Sequence, residues 1–376
     1  MSSSDTFGQA DAWWSLFSFA LAPFGAHFLE STDTGVASAL DRERDALQLV
    51  SAPVSPVPVA SSPTSKEAAT AFSGDGSART ESPHWLSQHF QLGDETHAFK
   101  VYVPSSYRGQ SLPLIVMLHG AQQDPDDFAL GTGMNAVAEE KGYIVVYPEQ
   151  SESVSSLRCW NWFRPEDRTR DRGETSMIAA LTRHAMATYN VDHTRVYVAG
   201  MSAGGAMAVN LAVTYPDLFA GAAIHSGIAF GVANEHLSAL CAMNDGLGKI
   251  RLPEPTSPGK RERAVPLIVF HGDADDTVHP RNGEQIVAMS RTQHGGFSDM
   301  PAESMCGNAG AEGHPSTRYV FCNQSGAPVG EQWIVHGLGH AWSGGHPDGT
   351  YTDLRGPCAT REIVRFFEQL RLEIQQ

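Results

Sequence analysis

Positive charge is scarce in this chain. Its 26 Lys and Arg stand against 42 Asp and Glu, a formal net charge of −16. Without a basic patch to neutralise phosphates, a nucleic-acid partner is not expected, and attachment to anionic lipid by charge is disfavoured. Long apolar runs are missing as well: no interior stretch reaches the roughly 20 residues of a membrane span. Cysteine is sparse, with Cys159, Cys241, Cys306, Cys322 and Cys358 widely spaced and odd in number. All five cannot pair within one chain, and the close pairs of a structural zinc site are lacking. Reducing surroundings are favoured, with one or two bridges still compatible, and neither a metal nor an organic cofactor is expected.

The N-terminus also lacks something. Its apolar stretch, Trp13 to Gly25, follows Asp5 and Asp11, and the first Arg is Arg42. A secretory signal normally carries positive charge ahead of its apolar part. A cytoplasmic protein is therefore expected, with a secreted or periplasmic one as the alternative. The aromatic stretch reads as a short helix that docks on the protein itself, anchors to an apolar surface such as a polymer granule, or covers the site as a lid.

What is present is a soluble globular composition, 41% hydrophobic over 376 residues, enough for a substantial core. Residues 50–82 are rich in Pro, Ser, Thr, Ala and Gly and bury too little to repay ordering, so they read as a linker. This gives an accessory segment 1–49, a linker 50–82 and a catalytic domain 83–376. Oligomeric state is not readable.

Apolar strand-like runs recur in that domain at 99–103, 112–118, 142–148, 195–199, 220–224, 266–270, 318–322 and 332–335. Helix-compatible stretches lie at 129–141, 176–189 and 360–375. Near-continuous apolar strands alternating with helices indicate a mostly parallel sheet covered on both faces, and the order is that of an α/β-hydrolase fold.

The chemistry starts at Gly200-Met201-Ser202-Ala203-Gly204, a Gly-x-Ser-x-Gly pattern between a strand and a helix. Such a turn holds a serine hydroxyl out at the sheet edge, and its glycines keep a tight bend uncrowded. Serine needs a base held in the right tautomer. His340 in Gly337-Leu338-Gly339-His340-Ala341-Trp342 is the expected base, with His336 and His346 as rivals. Asp275 in His271-Gly272-Asp273-Ala274-Asp275-Asp276 is the expected orienting carboxylate, with Asp273 and Asp276 as rivals. The chain order Ser, Asp, His suits the fold. His119 and His271 read as structural histidines beneath the site, and His225 as a weak catalytic candidate.

An oxyanion needs backbone donors aimed at one point. Ala203 follows the nucleophile and is one; Ala121, or less favourably Gln122, supplies the other from the loop after Leu118. The aromatic run Cys159-Trp160-Asn161-Trp162-Phe163 is expected either to pack as a rim cluster or to line the substrate site with Trp160 and Trp162. Trp342 would be a second wall. Arg172 and Glu174 read as a loop-fixing ion pair.

Together these motifs, from about Ala98 to Phe367, resemble the poly(3-hydroxybutyrate) depolymerase family of esterases, which includes feruloyl and acetylxylan esterase relatives. The resemblance implies a nucleophile at Ser202, an acid at Asp275, a base at His340, an oxyanion donor at Ala121 and substrate contact by the tryptophan-rich loop. It implies a polyester granule or hydroxyalkanoate oligomer as the partner, or a feruloyl, acetylxylan or short-chain ester. Relatives commonly carry a cysteine directly after the His-Gly pair, bridged to the one before the tryptophans. Ala121 stands opposite Cys159 here, so that bridge cannot form.

Overall fold

A computed structural model describes residues 84–253, 263–296, 298–299, 303–305, 313–323 and 326–373, all within one compact unit, Thr80–Gln376. The aromatic N-terminal stretch and the expected linker lie outside the described residues.

An 11-stranded sheet forms the centre. It opens with β1 (His84–Leu92), β2 (Glu95–Val103) and β3 (Leu112–Leu118), followed by α1 (Pro125–Thr132), α2 (Met134–Lys141) and β4 (Ile144–Pro148). Next come α3 (Gly173–Thr188), β5 (Val191–Met201), α4 (Ala203–Thr214), β6 (Gly221–His225) and α5 (His236–Asp245). The remainder is β7 (Leu267–Gly272), α6 (Arg281–Gln293), β8 (Ser298–Asp299), β9 (Glu303–Met305), β10 (Ser316–Cys322) and β11 (Pro328–Val335). A small parallel pair, β12 (Trp342–Ser343) with β13 (Thr352–Asp353), precedes the final helix α7 (Ala359–Phe367).

Sheet order is β1-β2-β4-β3-β5-β6-β7-β11-β10-β8, with β9 also on β10. Pairing from β4 through β11 is parallel, and both edges are antiparallel. This is an α/β-hydrolase fold. The central strands are apolar throughout because helices cover both faces; Leu114 to Leu118 and Val196 to Ala199 are all fully buried.

The expected single helix over 129–141 is two. Gly133 takes φ 62° and its N–H caps Ala129 and Leu130 carbonyls, so α1 stops and α2 starts at one left-handed residue. Strand β1 had no sequence signal, since most of its residues are exposed and only pairing with β2 defines it. The last helix ends at Phe367, short of the expected Gln375.

Register brings the reactive ends together. Met201 pairs with His225, His225 with Phe270, and Gly272 with Val335. The loops after β5, β7 and β11 therefore leave the sheet at one edge, the carboxyl ends where such sheets place their sites. Strand β11 lies three positions from β5, roughly 14 Å at strand spacing. The loop after it must reach back, and Gly337 at φ 79° makes the first turn.

Candidate active site

Ser202 joins β5 to α4 with φ 54° and ψ −119°, a conformation that costs a non-glycine residue on the order of 1–3 kcal/mol. Two close approaches enforce it. A Cβ on Gly200 would sit 2.3 Å from the Gly204 carbonyl oxygen, and one on Gly204 would sit 2.1 Å from that of Leu118. The Ser202 N–H donates to the His225 carbonyl at 2.9 Å, pinning the turn to the neighbouring strand. Ser202 is partly exposed at the start of a wholly buried helix, whose N-terminal dipole favours negative charge there.

Asp275 and His340 meet. The imidazole Nδ1 lies 2.8 Å from Asp275 Oδ2, while Asp275 Oδ1 accepts from the backbone N–H of Thr277 at 3.0 Å and Val278 at 2.8 Å. Burial would raise this carboxyl, but hydrogen bonds from His271 and His340 hold it well below the usual carboxylate range. An ionised Asp275 fixes the proton of His340 on Nδ1 and leaves Nε2 free to accept one. Among the described residues no hydrogen bond joins His340 to Ser202 Oγ; rotation about the serine Cα–Cβ bond or a shift of the ring must close that contact.

The rivals are placed elsewhere. Asp273 accepts from His336 Nδ1 at 2.7 Å and from the Gly337 N–H at 2.7 Å, so this pair anchors the base loop. Asp276 is exposed, and His346 pairs loosely with Asp348 at 3.8 Å.

Three buried histidines, His271, His225 and His119, pack around the site. His271 Nε2 is 2.8 Å from the Val278 carbonyl. His225 is stacked between Phe270 and Trp342 and accepts the Ser343 N–H at Nε2, 3.0 Å away. Burial, with His271 and His340 nearby, pushes its pKa down to about 3. His119 accepts the Gln150 N–H at Nε2 and directs Nδ1 at the Gly120 carbonyl, 2.8 Å away. Burial lowers it to about 4.

On the oxyanion side, the Gln122 N–H is taken by the Leu157 carbonyl at 2.7 Å, which removes Gln122 as a donor. Among the described residues no acceptor takes the N–H of Ala121 or Ala203. Hydrogen bonds join this loop to the aromatic one: besides Gln122 to Leu157, Trp160 Nε1 donates to the His119 carbonyl at 3.1 Å and Arg158 reaches Asp124 at 3.1 Å. Cys159 is a buried thiol, pushed up to about 12 by burial and then by Glu174.

The tryptophans require a correction. Trp160, Trp162 and Trp342 are 0%, 4% and 1% exposed, so none presents an open ring as a substrate wall. Interior acceptors for the indole N–H explain the burial of two: Trp160 bonds the His119 carbonyl, and Trp342 bonds Thr360 Oγ1 at 3.0 Å. Trp162 packs edge-on against Phe163. They brace the loops beneath the site. Glu174 is corrected too: among the described residues its partners are Asn161 and Gln150, at 2.6 Å each, and not Arg172. Sequence reasoning missed Gln150, which donates to Glu174. It also missed Tyr351, whose ring lies 6.4 Å from that of His340.

Comparison with known proteins places the chain among esterases by sequence and by fold. Residues 97–315 match the family described as Esterase PHB depolymerase. The chain is 33% identical over 244 residues to poly(3-hydroxyalkanoate) depolymerase C of Paucimonas lemoignei, covering 64% of this chain and 57% of that one. It is 30% identical over 203 residues to feruloyl esterase B of Thermothelomyces thermophilus, covering 50% of this chain and 67% of that one. An acetyl xylan esterase from Aspergillus awamori superposes with a TM-score of 0.58 at 20% identity, covering 76% of this chain and 99% of that one, a likeness of fold. The chain thus spans little more than half the length of the depolymerase it matches. By the sequence match over residues 97–315, the chain belongs to the PHB depolymerase family of esterases.

Proposed function

We propose that the protein is a serine carboxylic ester hydrolase that cleaves poly(3-hydroxybutyrate) or its oligomers through an acyl-enzyme, with Ser202 as nucleophile, His340 as base and Asp275 as orienting acid. The observation that carries this reading is the Asp275–His340 pair, 2.8 Å apart, in a loop cluster shared with a strained serine turn.

In the first step His340 Nε2 takes the proton of Ser202 Oγ as the oxygen attacks the acyl carbonyl. The imidazolium is stabilised by Asp275, and the oxyanion by the N–H groups of Ala121 and Ala203. Collapse breaks the ester C–O bond, and the His340 proton leaves with the alcohol. Water then gives a proton to neutral His340 and attacks the acyl carbon; collapse breaks the bond to Ser202 Oγ, and His340 returns that proton to Oγ as the acid leaves. No metal or organic cofactor enters these steps.

A polyester granule or hydroxyalkanoate oligomer is favoured as substrate by the identity to the Paucimonas lemoignei depolymerase. A feruloyl or acetylxylan ester is the second reading, supported by the Thermothelomyces thermophilus relative and by 29% identity over 217 residues to acetylxylan esterase A of Emericella nidulans. Incubation with amorphous poly(3-hydroxybutyrate), methyl ferulate and acetylated xylan, with products resolved by length, separates them. Release of hydroxybutyrate oligomers by wild type and not by Ser202→Ala is expected. Turnover of only the other two esters would replace the polyester reading.

A further inference from the structure

Tyr351 occupies an unusual position. A tyrosine at φ 51° lies in the left-handed region that bulky residues rarely adopt, and Gln122 opposite it has φ 67°. The two side chains meet: the Tyr351 hydroxyl donates to Gln122 Oε1 at 3.1 Å. This bond is exposed, and it spans the site from the oxyanion loop to the segment beyond the base.

Both residues are fixed by their backbones. The Tyr351 carbonyl accepts the Trp342 N–H at 2.7 Å, and the Gln122 N–H donates to Leu157 at 2.7 Å. The rings of Tyr351 and His340 stand nearly perpendicular, with centres 6.4 Å apart at 75°. Burial, followed by the charge of Asp127, raises its pKa, so the phenol is a proton donor at neutral pH. The site therefore holds an amphipathic side chain whose ring stands by His340 and whose hydroxyl is an exposed donor beside Gln122. Its present acceptor is a partly solvated side-chain amide. An incoming acceptor oxygen can take that amide's place without leaving the donor unpaired.

We propose that Tyr351 is a specificity-determining residue, its phenol leaving Gln122 to bind a second carbonyl oxygen of the substrate, that of the ester next to the one being cleaved. This assignment rests on the polyester reading, since in a polyester the next ester carbonyl lies along the same backbone as the one being cleaved. Backbone strain at both partners fits a pair held ready for a ligand.

The test compares p-nitrophenyl butyrate, which has one carbonyl, with a 3-hydroxybutyrate trimer. Tyr351→Phe keeps the ring and removes the donor. Its kcat/KM on the trimer should fall about 5- to 10-fold further than on p-nitrophenyl butyrate, mainly through KM, as expected for one lost hydrogen bond. Gln122→Asn tolerates the left-handed backbone, is too short to hold the phenol, and should lower the trimer KM about 2-fold by removing the internal competitor. Equal losses on both substrates in both variants would make the pair a structural brace and overturn the assignment. So would a trimer-to-butyrate ratio unaltered in Tyr351→Phe. If wild type cleaves p-nitrophenyl butyrate and leaves the trimer intact, the polyester reading fails first and takes this assignment with it.

Discussion

His340 Nδ1 and Asp275 Oδ2 are 2.8 Å apart, and the other Asp275 oxygen is held by two backbone N–H groups. Asp275→Asn can keep the backbone bonds through its oxygen, but it turns an amide donor toward His340 and selects the wrong tautomer. The expected loss is about 10⁴-fold in kcat with the fold retained. Steady-state hydrolysis of p-nitrophenyl butyrate and a thermal melt measure both, and a loss smaller than tenfold would remove Asp275 from the proposed mechanism.

Ser202 stores strain at φ 54°. Ser202→Gly should abolish ester turnover and raise stability by about 1 kcal/mol, because glycine adopts this region freely. An unfolding titration in urea reports the gain. A variant that is less stable than wild type would show that the serine side chain contributes more to the turn than its backbone costs.

Gly204 has no room for a side chain, with the Leu118 carbonyl oxygen 2.1 Å from where its Cβ would lie. Gly204→Ala should cost about 3 kcal/mol or more, as severe overpacking does. The expected readout is a large fall in Tm with poor soluble yield; an unchanged Tm would mean that β3 and α4 can separate cheaply.

Trp160 is expected to act through the loop it holds. Trp160→Phe keeps most of the buried ring and removes the donor to the His119 carbonyl, costing about 1 kcal/mol. Tm and kcat should fall while KM for an oligomer stays constant. A raised KM at unaltered Tm would restore the substrate-wall role that its burial argues against.

Acid should destabilise the fold through its neutral histidines. Burial depresses His119 to about 4 and, with neighbouring histidines, His225 to about 3. Unfolded, both titrate near about 6.5. The unfolded state then binds more protons below about pH 6.5, so stability is full above that value and falls as pH drops toward 4. Asp167 opposes this: burial and Glu174 raise it to about 7, so its contribution is full below its unfolded value of about 3.9 and is lost as pH rises from there through 7. Urea midpoints from pH 7 to 4 should fall, and more steeply in Asp167→Asn. A midpoint rising toward pH 4 in that variant would contradict the assignment of neutral His119 and His225.

Much of this was legible in the chain. Strand β3 was read to its residue limits because an apolar run ending at His119-Gly120 has strong boundaries. The serine turn was legible because Gly200 and Gly204 have a steric cause that acts locally along the chain. Gly133 as a helix break was less so, since a single glycine is compatible with a continuous helix until its φ is known. Strand β1 escaped because its faces are polar and its partner, β2, defines it.

By itself the sequence determined the sheet-helix alternation, the order of serine, carboxylate and imidazole, and the small residues that let a serine stand at a bend. These follow from local sterics and hydrophobic period. Only the tertiary structure decided that Asp275 meets His340 while Asp273 goes to His336, that the tryptophans turn inward, and that Gln122 gives its N–H to Leu157 and its side chain to Tyr351. Each of those outcomes depends on partners far apart in the chain, joined by a strand order that places β11 beside β7. Burial and hydrogen-bond satisfaction are settled there among all neighbours at once.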